Sequence, residues 1–506
     1  MSKPFLLGID QGTSGSRALI IDREGQIHGY AYRPLDRLYP APDRVEQNPQ
    51  AVVDGVAAAI AAAVAEAGCR AHEIAACGIA CQRNTDFAWN ACSGEPVANA
   101  ITWQDLRTTA ILKAVRRWPG FVEARDRLGY PPGTYMSALH LSWRLQHDLA
   151  VQEAAAGGRL RVGLSAAWLV QALGKPAGHY MDRSLAQATG LFDFRAGQYW
   201  DAWLAELGVP LEILPAAVPT IHEYGTIRVT DAAGTSADVP VLAMIGDQQG
   251  ALFGHGCRTP GAAEGTQGTA SYVKVFMGDQ APAPDSINVY YAWDLGQGQT
   301  YCLEAPTTVA GAAIRWMRDA ARLIDSYDEL EPVAASVPDT GGVVFVPAFT
   351  GLDVPYDDPD ARATILGMTL GTQRGHIVRA FMESSGCQFR AGRDTNAGET
   401  RLTVDELLVG GGVTTSDTLC QLEADLTGIP VVRSTFGETT AWAAALLAGL
   451  GAGTWRDIDA LPAAPGVRTR FLPQLDAGAR DRGYVRWQQA VELVQAFGRA
   501  ESDAIE

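Results

Sequence analysis

Two short turns hold most of the chemistry that this sequence can offer. The first lies in "FLLGIDQGTSGSRALIID", where an apolar run ends at Asp10, breaks into small and polar residues from Gly12 to Ser16, and resumes at Ala18. That pattern predicts a strand, a turn and a second strand. A turn that only reverses the chain needs two residues. This one is longer and free of bulk, so something must approach its backbone closely. The second turn is in "AAEGTQGTASYVKVFMG", with Gly268-Thr269 at the bend. Each turn has an aspartate at a nearby predicted strand end, Asp10 for the first and Asp247 of "VPVLAMIGDQQG" for the second. Facing each other across a cleft, the two would present backbone N–H groups and hydroxyls to an anion. Phosphate is the anion that needs many donors and no side chain in its way. A third cluster, Gly410-Gly411-Gly412, falls between a predicted strand and a predicted helix, where close approach suits a flat ring or a phosphate. Taken alone, each turn reads as a plain hairpin and the glycine cluster as strand–helix packing. Their repetition beside a carboxylate points to a site.

Other chemistries lose their support. There is no GxxxxGK[ST], since the one Gly-Lys pair, Gly174-Lys175, is followed by proline, and there is no HExxH, GxSxG or GxGxxG. A net charge of −17 repels nucleic acid and anionic membrane, so neither is expected as a partner. The eight cysteines form no CxxC pair, and Cys77 and Cys81 sit in an apolar run as buried thiols rather than zinc ligands. The apolar run in "MSKPFLLGIDQG" is too short for a signal peptide, and the longest uncharged apolar stretch, Ala441 to Gly453, is too short to span a membrane. A reducing cytoplasm is the expected compartment.

The elements that must position these turns follow from periodicity. A chain of 506 residues is too long for one core, so at least two domains are expected. Residues 49–68, "PQAVVDGVAAAIAAAVAEAG", predict an alanine-rich helix opening at Asn48-Pro49, and "EIAACGIACQ" predicts a buried strand. Alternating strands and helices argue for an α/β fold. Because strand-turn-strand with Gly-Thr recurs, the chain reads as a duplicated α/β domain around a cleft. The boundary falls near residues 249–257, giving an N-terminal domain over 1–249 and a C-terminal one over 250–506. Trp487, Val491, Val494 and Phe497 have helical spacing and predict a packed terminal helix.

Taken together, "GIDQGTSGSRA", "QRNTDFAWN", "NAITWQDLRT", "GDQQGALFG", "GTQGT", "VPAFTGLDVPYDDPDARATILGMTLGT", "HIVRAFMESSGCQFR" and the "GGG" cluster resemble the FGGY family of carbohydrate kinases. The resemblance runs from about residue 5 to about residue 455, and in order and spacing it favours the glycerol-phosphorylating members. It implies two ribonuclease-H-like domains of the actin and hexokinase type flanking a catalytic cleft. It also implies ATP and Mg2+ as cofactors, a small polyol or sugar as substrate, and a homodimer or homotetramer as the assembly.

By the same resemblance Asp247 is the general base and Asp10 helps to hold magnesium. Thr13, Ser14 and Arg17 form the first phosphate loop and Gly268-Thr269 the second. Gly311 and Arg315 contact nucleotide, although the relatives usually carry an amide at the latter. Gly411, Gly412 and Ser416 fall at the adenine pocket, with Ser416 in place of the usual asparagine. Arg83, Trp103, Tyr135, Asp247 and Gln248 match the polyol pocket. Asn84 and Tyr272 depart from it, standing where the glycerol-phosphorylating members carry glutamate and phenylalanine. An amide donates as well as accepts, so Asn84 can meet a carbonyl or a differently directed hydroxyl. A tetritol, tetrulose or pentulose therefore stays open as the substrate beside glycerol, and a non-catalytic actin-like binder is the alternative outside enzymes.

Overall fold

The computed structural model describes residues 4–268, 271–283, 286–307 and 310–503. Thr269 lies outside the described residues. The opening turn joins antiparallel strands Phe5–Gln11 and Gly15–Asp22, with Asp10 opposite Arg17. Strand Ile27–Pro34 extends this hairpin on one side. On the other, Ile74–Cys81 and then Ser236–Gly246 run parallel to the opening strand, within a sheet of seven strands. A second seven-stranded sheet repeats the plan. Its hairpin, Ala263–Gln267 with Ser271–Gly278, is extended antiparallel by Gln299–Thr307 and flanked in parallel by Leu407–Gly410 and Val431–Ser434. The sequence repeat is a repeat of topology.

Register places the chemistry. Cys81 is paired with Gln11 on one side and with Gly246 on the other. Asp10, Arg83 and Asp247 therefore leave three adjacent parallel strands at the same edge. Carboxyl ends of parallel strands are where α/β sheets bind ligands.

Helix Pro49–Ala67 begins as the sequence predicts. The Asn48 side chain accepts hydrogen bonds from the Gln50 and Ala51 amides, and Gly68 closes the helix at φ 62°. By length and composition the helix could cross a membrane, but Val52, Val56, Ala59, Ile60, Ala63 and Val64 are buried, and the helix packs against strands Gly15–Asp22 and Ile27–Pro34.

Helix Thr439–Gly451 comes late in the chain yet lies on the first sheet, against Phe5–Gln11 and Ile74–Cys81. It is apolar all round and buried from Ala441 to Gly449, as a helix covered on every face must be. Its seat is made of missing side chains. Gly8 and Gly78 are register partners in neighbouring strands. A Cβ on Gly8 would stand 1.9 Å from the Ala441 carbonyl oxygen, and one on Gly78 1.9 Å from that of Ala444.

The terminal helix Ala477–Asp503 buries Trp487, Val491 and Val494 against Val346, Cys387 and Leu426. Phe497 does not join them and is 59% exposed. The buried stripe continues instead through Gly498, whose backbone presses on the Asp360 carbonyl and turns Phe497 outward. All eight cysteines are free thiols, and only Cys92, just after strand Asp86–Asn90, is exposed.

The glycine seat gives a paired prediction. Gly78→Ala should destabilise the protein by at least ~1–3 kcal/mol, the cost of forced overpacking. Gly55→Ala, in helix Pro49–Ala67 with Ser16 Oγ 3.8 Å from the new Cβ, should stabilise it by ~0.5–1 kcal/mol. Urea unfolding midpoints check both signs.

Candidate functional site

A net of buried amides holds the first turn. Gln82 Nε2 donates to Gln47 Oε1 at 2.9 Å and to Gln11 Oε1 at 3.3 Å, and Gln47 Nε2 donates to the Thr13 carbonyl at 2.9 Å. The Thr13 hydroxyl donates to Gln82 Oε1 at 2.9 Å and accepts from Trp103 Nε1 at 2.9 Å. Its one proton is thus committed inside the protein, and Thr13 can offer an anion only its backbone N–H. The Ser14 carbonyl accepts from the Tyr32 hydroxyl and the Leu35 amide, both at 2.9 Å. Arg17 bridges Asp10 at 3.4 Å and Glu438 at 3.1 Å, and its guanidinium lies over the Tyr32 ring. Burial pushes Asp10 up to about 7; Arg17 opposes this, while the charges of Asp247 and Glu438 add to it. The Asp10 carboxylate oxygens are donors of the kind a hard divalent ion takes.

Arg83 is the centre of a second group. Its Nη2 donates to both carboxylate oxygens of Glu304, at 2.8 and 2.9 Å, and its guanidinium lies 4.6 Å from the Tyr290 ring centre. Its Nε is 4.0 Å from Asp247 Oδ1, and its buried Nη1 has no hydrogen-bond partner among the described residues. Asp247 opens helix Asp247–Gly254, and its Oδ1 accepts from the Gln248 amide at 2.8 Å. Burial raises its pKa, against the pull of Arg83. Tyr135 and Tyr272 lie within the electrostatic reach of Arg83 and Glu304, and burial raises both phenols. Asn84 adopts φ 55°, and its Oδ1 accepts from the Ser137 amide at 3.3 Å.

Beneath Gln248 sits Lys274. Its Nζ donates to Gln248 Oε1 at 2.7 Å and to Thr266 Oγ1 at 3.2 Å, and is 2.8 Å from Glu264 Oε2. Lys274 stands opposite Glu264 on one neighbouring strand and opposite Glu304 on the other.

Gly268, Gly311, Arg315, Gly412 and Ser416 line one cavity of about 530 Å3, with Glu331 also in its wall. The Gly311 amide donates to the Gly268 carbonyl at 2.9 Å, tying helix Gly311–Asp319 to the second turn. Gly411 takes φ 106° and sits where a Cβ would meet the Gln267 carbonyl oxygen at 2.2 Å. It shapes the wall rather than lining it. The Ser416 hydroxyl caps helix Asp417–Thr427 by accepting from the Leu419 amide, and donates to Glu331. Behind the turn, Gln267 Nε2 donates to both oxygens of the buried Glu423, which also accepts from Ser385 Oγ at 2.7 Å.

Glu304, Lys274, Glu438 and Gln47 were not singled out by sequence reasoning. A lone charge inside an apolar strand, as in "YCLEAP" and "SYVKVFMG", is the signal that could have found the first two.

The comparisons agree on one relationship. Residues 5–254 match the profile of the FGGY family of carbohydrate kinases, N-terminal domain, and residues 252–452 that of its C-terminal domain. A glycerol kinase of Leptothrix cholodnii is 42% identical over 499 residues, covering 97% of this chain and 99% of the relative. One from Symbiobacterium thermophilum is 39% identical over 500 residues, covering 98% and 99%. The crystal structure of Plasmodium falciparum glycerol kinase with ADP superposes with a TM-score of 0.89 at 25% identity, over 97% of this chain and 98% of that one.

Glu423 makes stability depend on pH. Burial pushes its carboxyl from 4.5 to about 7, so the folded chain keeps a proton that the unfolded chain has lost. The stabilisation is complete below pH 4.5 and is lost as pH rises through 7. Glu423→Gln should flatten this slope: between pH 5.5 and 8 the wild-type Tm should fall more than that of the variant in a calorimetric series.

Proposed function

The chain belongs to the FGGY family of carbohydrate kinases, and from that membership we propose that it transfers the γ-phosphoryl group of ATP to a terminal hydroxyl of glycerol or a close polyol or ketose. It is a phosphotransferase whose substrates are ATP and a sugar or polyol. The observation that carries the finer reading is the setting of Asp247: a partly exposed carboxylate at a strand end, 4.0 Å from Arg83 and electrostatically coupled to Asp10.

Asp247 accepts the proton of the attacking hydroxyl. Phosphoryl transfer has a loose transition state, so positioning and charge matter more than a strongly basic group. Arg83 lends its free Nη1 to a substrate oxygen while Glu304 fixes its plane. Tyr135 and Tyr272 form walls of the sugar pocket. Trp103 acts one step back, through the Thr13 hydroxyl. The backbone of Thr13 and Ser14, with Arg17, meets phosphate from one side and Gly268 from the other. Gly311, Arg315, Gly412 and Ser416 house the nucleotide in their shared cavity. Mg2+, held through Asp10, would neutralise phosphate oxygens when bound. The cytoplasm is the compartment that suits ATP and free thiols.

Asn84 and Tyr272 favour a second substrate reading within the same chemistry, a tetritol, tetrulose or pentulose. ADP release measured over a panel of polyols and ketoses, ranked by kcat/KM, decides between them; ADP release that no member stimulates would overturn the kinase reading. Asp247→Asn should leave sugar and nucleotide affinity largely intact and lower kcat by ~10²-fold or more, the scale of a lost general base. A variant with near-wild-type kcat would show that the base lies elsewhere.

A further inference from the structure

The hydrogen-bond polarity of the sugar pocket is set from below. Lysine ammonium only donates, so the Gln248 atom 2.7 Å from Lys274 Nζ must be the amide oxygen. A backbone N–H likewise only donates, so the Asn84 atom facing the Ser137 amide is also its oxygen. Each amide therefore turns its oxygen to that partner and keeps its nitrogen for other acceptors, while the buried Arg83 Nη1 has no hydrogen-bond partner among the described residues. Both Glu304 oxygens already receive Arg83, whereas Tyr135 gives its proton to the Pro131 carbonyl and keeps its oxygen as an acceptor. Gln248, Asn84 and Arg83 thus offer donors; of the carboxylates around them, Glu304 is taken by Arg83, Asp353 acts on Tyr135 and Tyr272, and Asp247 is reserved for the reacting hydroxyl.

We propose that Lys274 is a positioning residue which, by holding the Gln248 oxygen, makes the pocket select a substrate bearing a keto oxygen next to the reacting carbon over one bearing a hydroxyl there. The inference rests on the kinase reading above. A keto oxygen brings lone pairs and no proton, so it is matched by Gln248 Nε2, Asn84 Nδ2 and Arg83 Nη1. A hydroxyl at that carbon accepts one of these bonds but brings a proton that neither amide oxygen can take, since Lys274 and the Ser137 amide hold them. That proton must turn to a tyrosine oxygen such as that of Tyr135. Lys274 can hold its post because Glu264 neutralises it in a position only 1% exposed.

The test compares glycerol with dihydroxyacetone, which differ only at the middle carbon. Wild type should show kcat/KM about ten-fold or more in favour of dihydroxyacetone, the scale of one well-made hydrogen bond against a diverted proton. Gln248→Glu keeps the shape and pairs with Lys274 but has no proton to donate, so the keto-to-hydroxyl ratio should fall about ten-fold while KM for ATP holds. Glu264→Gln with Lys274→Met removes both charges, strands neither, and frees the Gln248 amide to turn; the ratio should move toward one. A role confined to stability would shift Tm and leave the ratio alone. Wild-type preference for glycerol, or a ratio unchanged in Gln248→Glu, overturns this inference and spares the kinase reading. Phosphorylation of neither compound, with other polyols accepted, overturns it as well. If the double variant fails to fold, the wild-type ratio and Gln248→Glu still decide.

Discussion

A lysine ammonium cannot rest in a protein interior without an anion beside it, and Lys274 has carboxylates on both adjoining strands. The row continues past them. Glu264, Lys274 and Glu304 alternate in sign across three strands of the second sheet, and Glu304 then takes Arg83 from the end of a strand in the first. Arg83 in turn faces Asp247. Breaking a buried pair by removing one partner costs ~3–5 kcal/mol, because the survivor is left desolvated and alone. The two sheets must therefore stay close enough for the arginine of one to satisfy the carboxylate of the other. That proximity sets the geometry in which Asp247 works.

The same closeness is achieved on the far face of the first sheet without charge. Gly8 and Gly78 leave a bare patch two strands wide, and helix Thr439–Gly451 lies on it backbone to backbone. A side chain on either glycine would overlap the helix backbone, and interiors pack at crystal density and tolerate no overlap. A segment from late in the chain thus rests on a sheet built from its start. The strand ends carrying Asp10 and Asp247 are held by that contact from behind and by Arg83–Glu304 from the front.

What the sequence disclosed, and what it hid, divides along physical lines. Asp10, Asp247 and the Gly12-Thr13 turn were legible because small residues at a strand end leave a local mark, and the duplicated strand pairing showed in the pattern itself. The helix at Pro49 was legible from its cap. Lys274 and Glu304 were not, because the meaning of each depends on a pairing some thirty residues away in the chain. Gln47 was silent for the same reason: its bond to the Thr13 carbonyl exists only once the sheet has formed. Ser416 could have been read as a helix cap from its place before Asp417, a local signal that the resemblance to a nucleotide contact obscured. Phe497 misled because three- and four-residue steps are equivalent only on average, and here the stripe passed through a glycine instead.

The distribution of thiols has a practical consequence. Burial raises the pKa of seven cysteines, Cys81 to about 12, and the thiolate is the species that reacts with electrophiles. Cys92 alone is exposed, in the surface turn at the opposite end of strand Asp86–Asn90 from Arg83 and Asn84. A maleimide dye added to the native protein would therefore settle at one address, giving a homogeneously labelled molecule without any engineered cysteine and with the cleft left untouched.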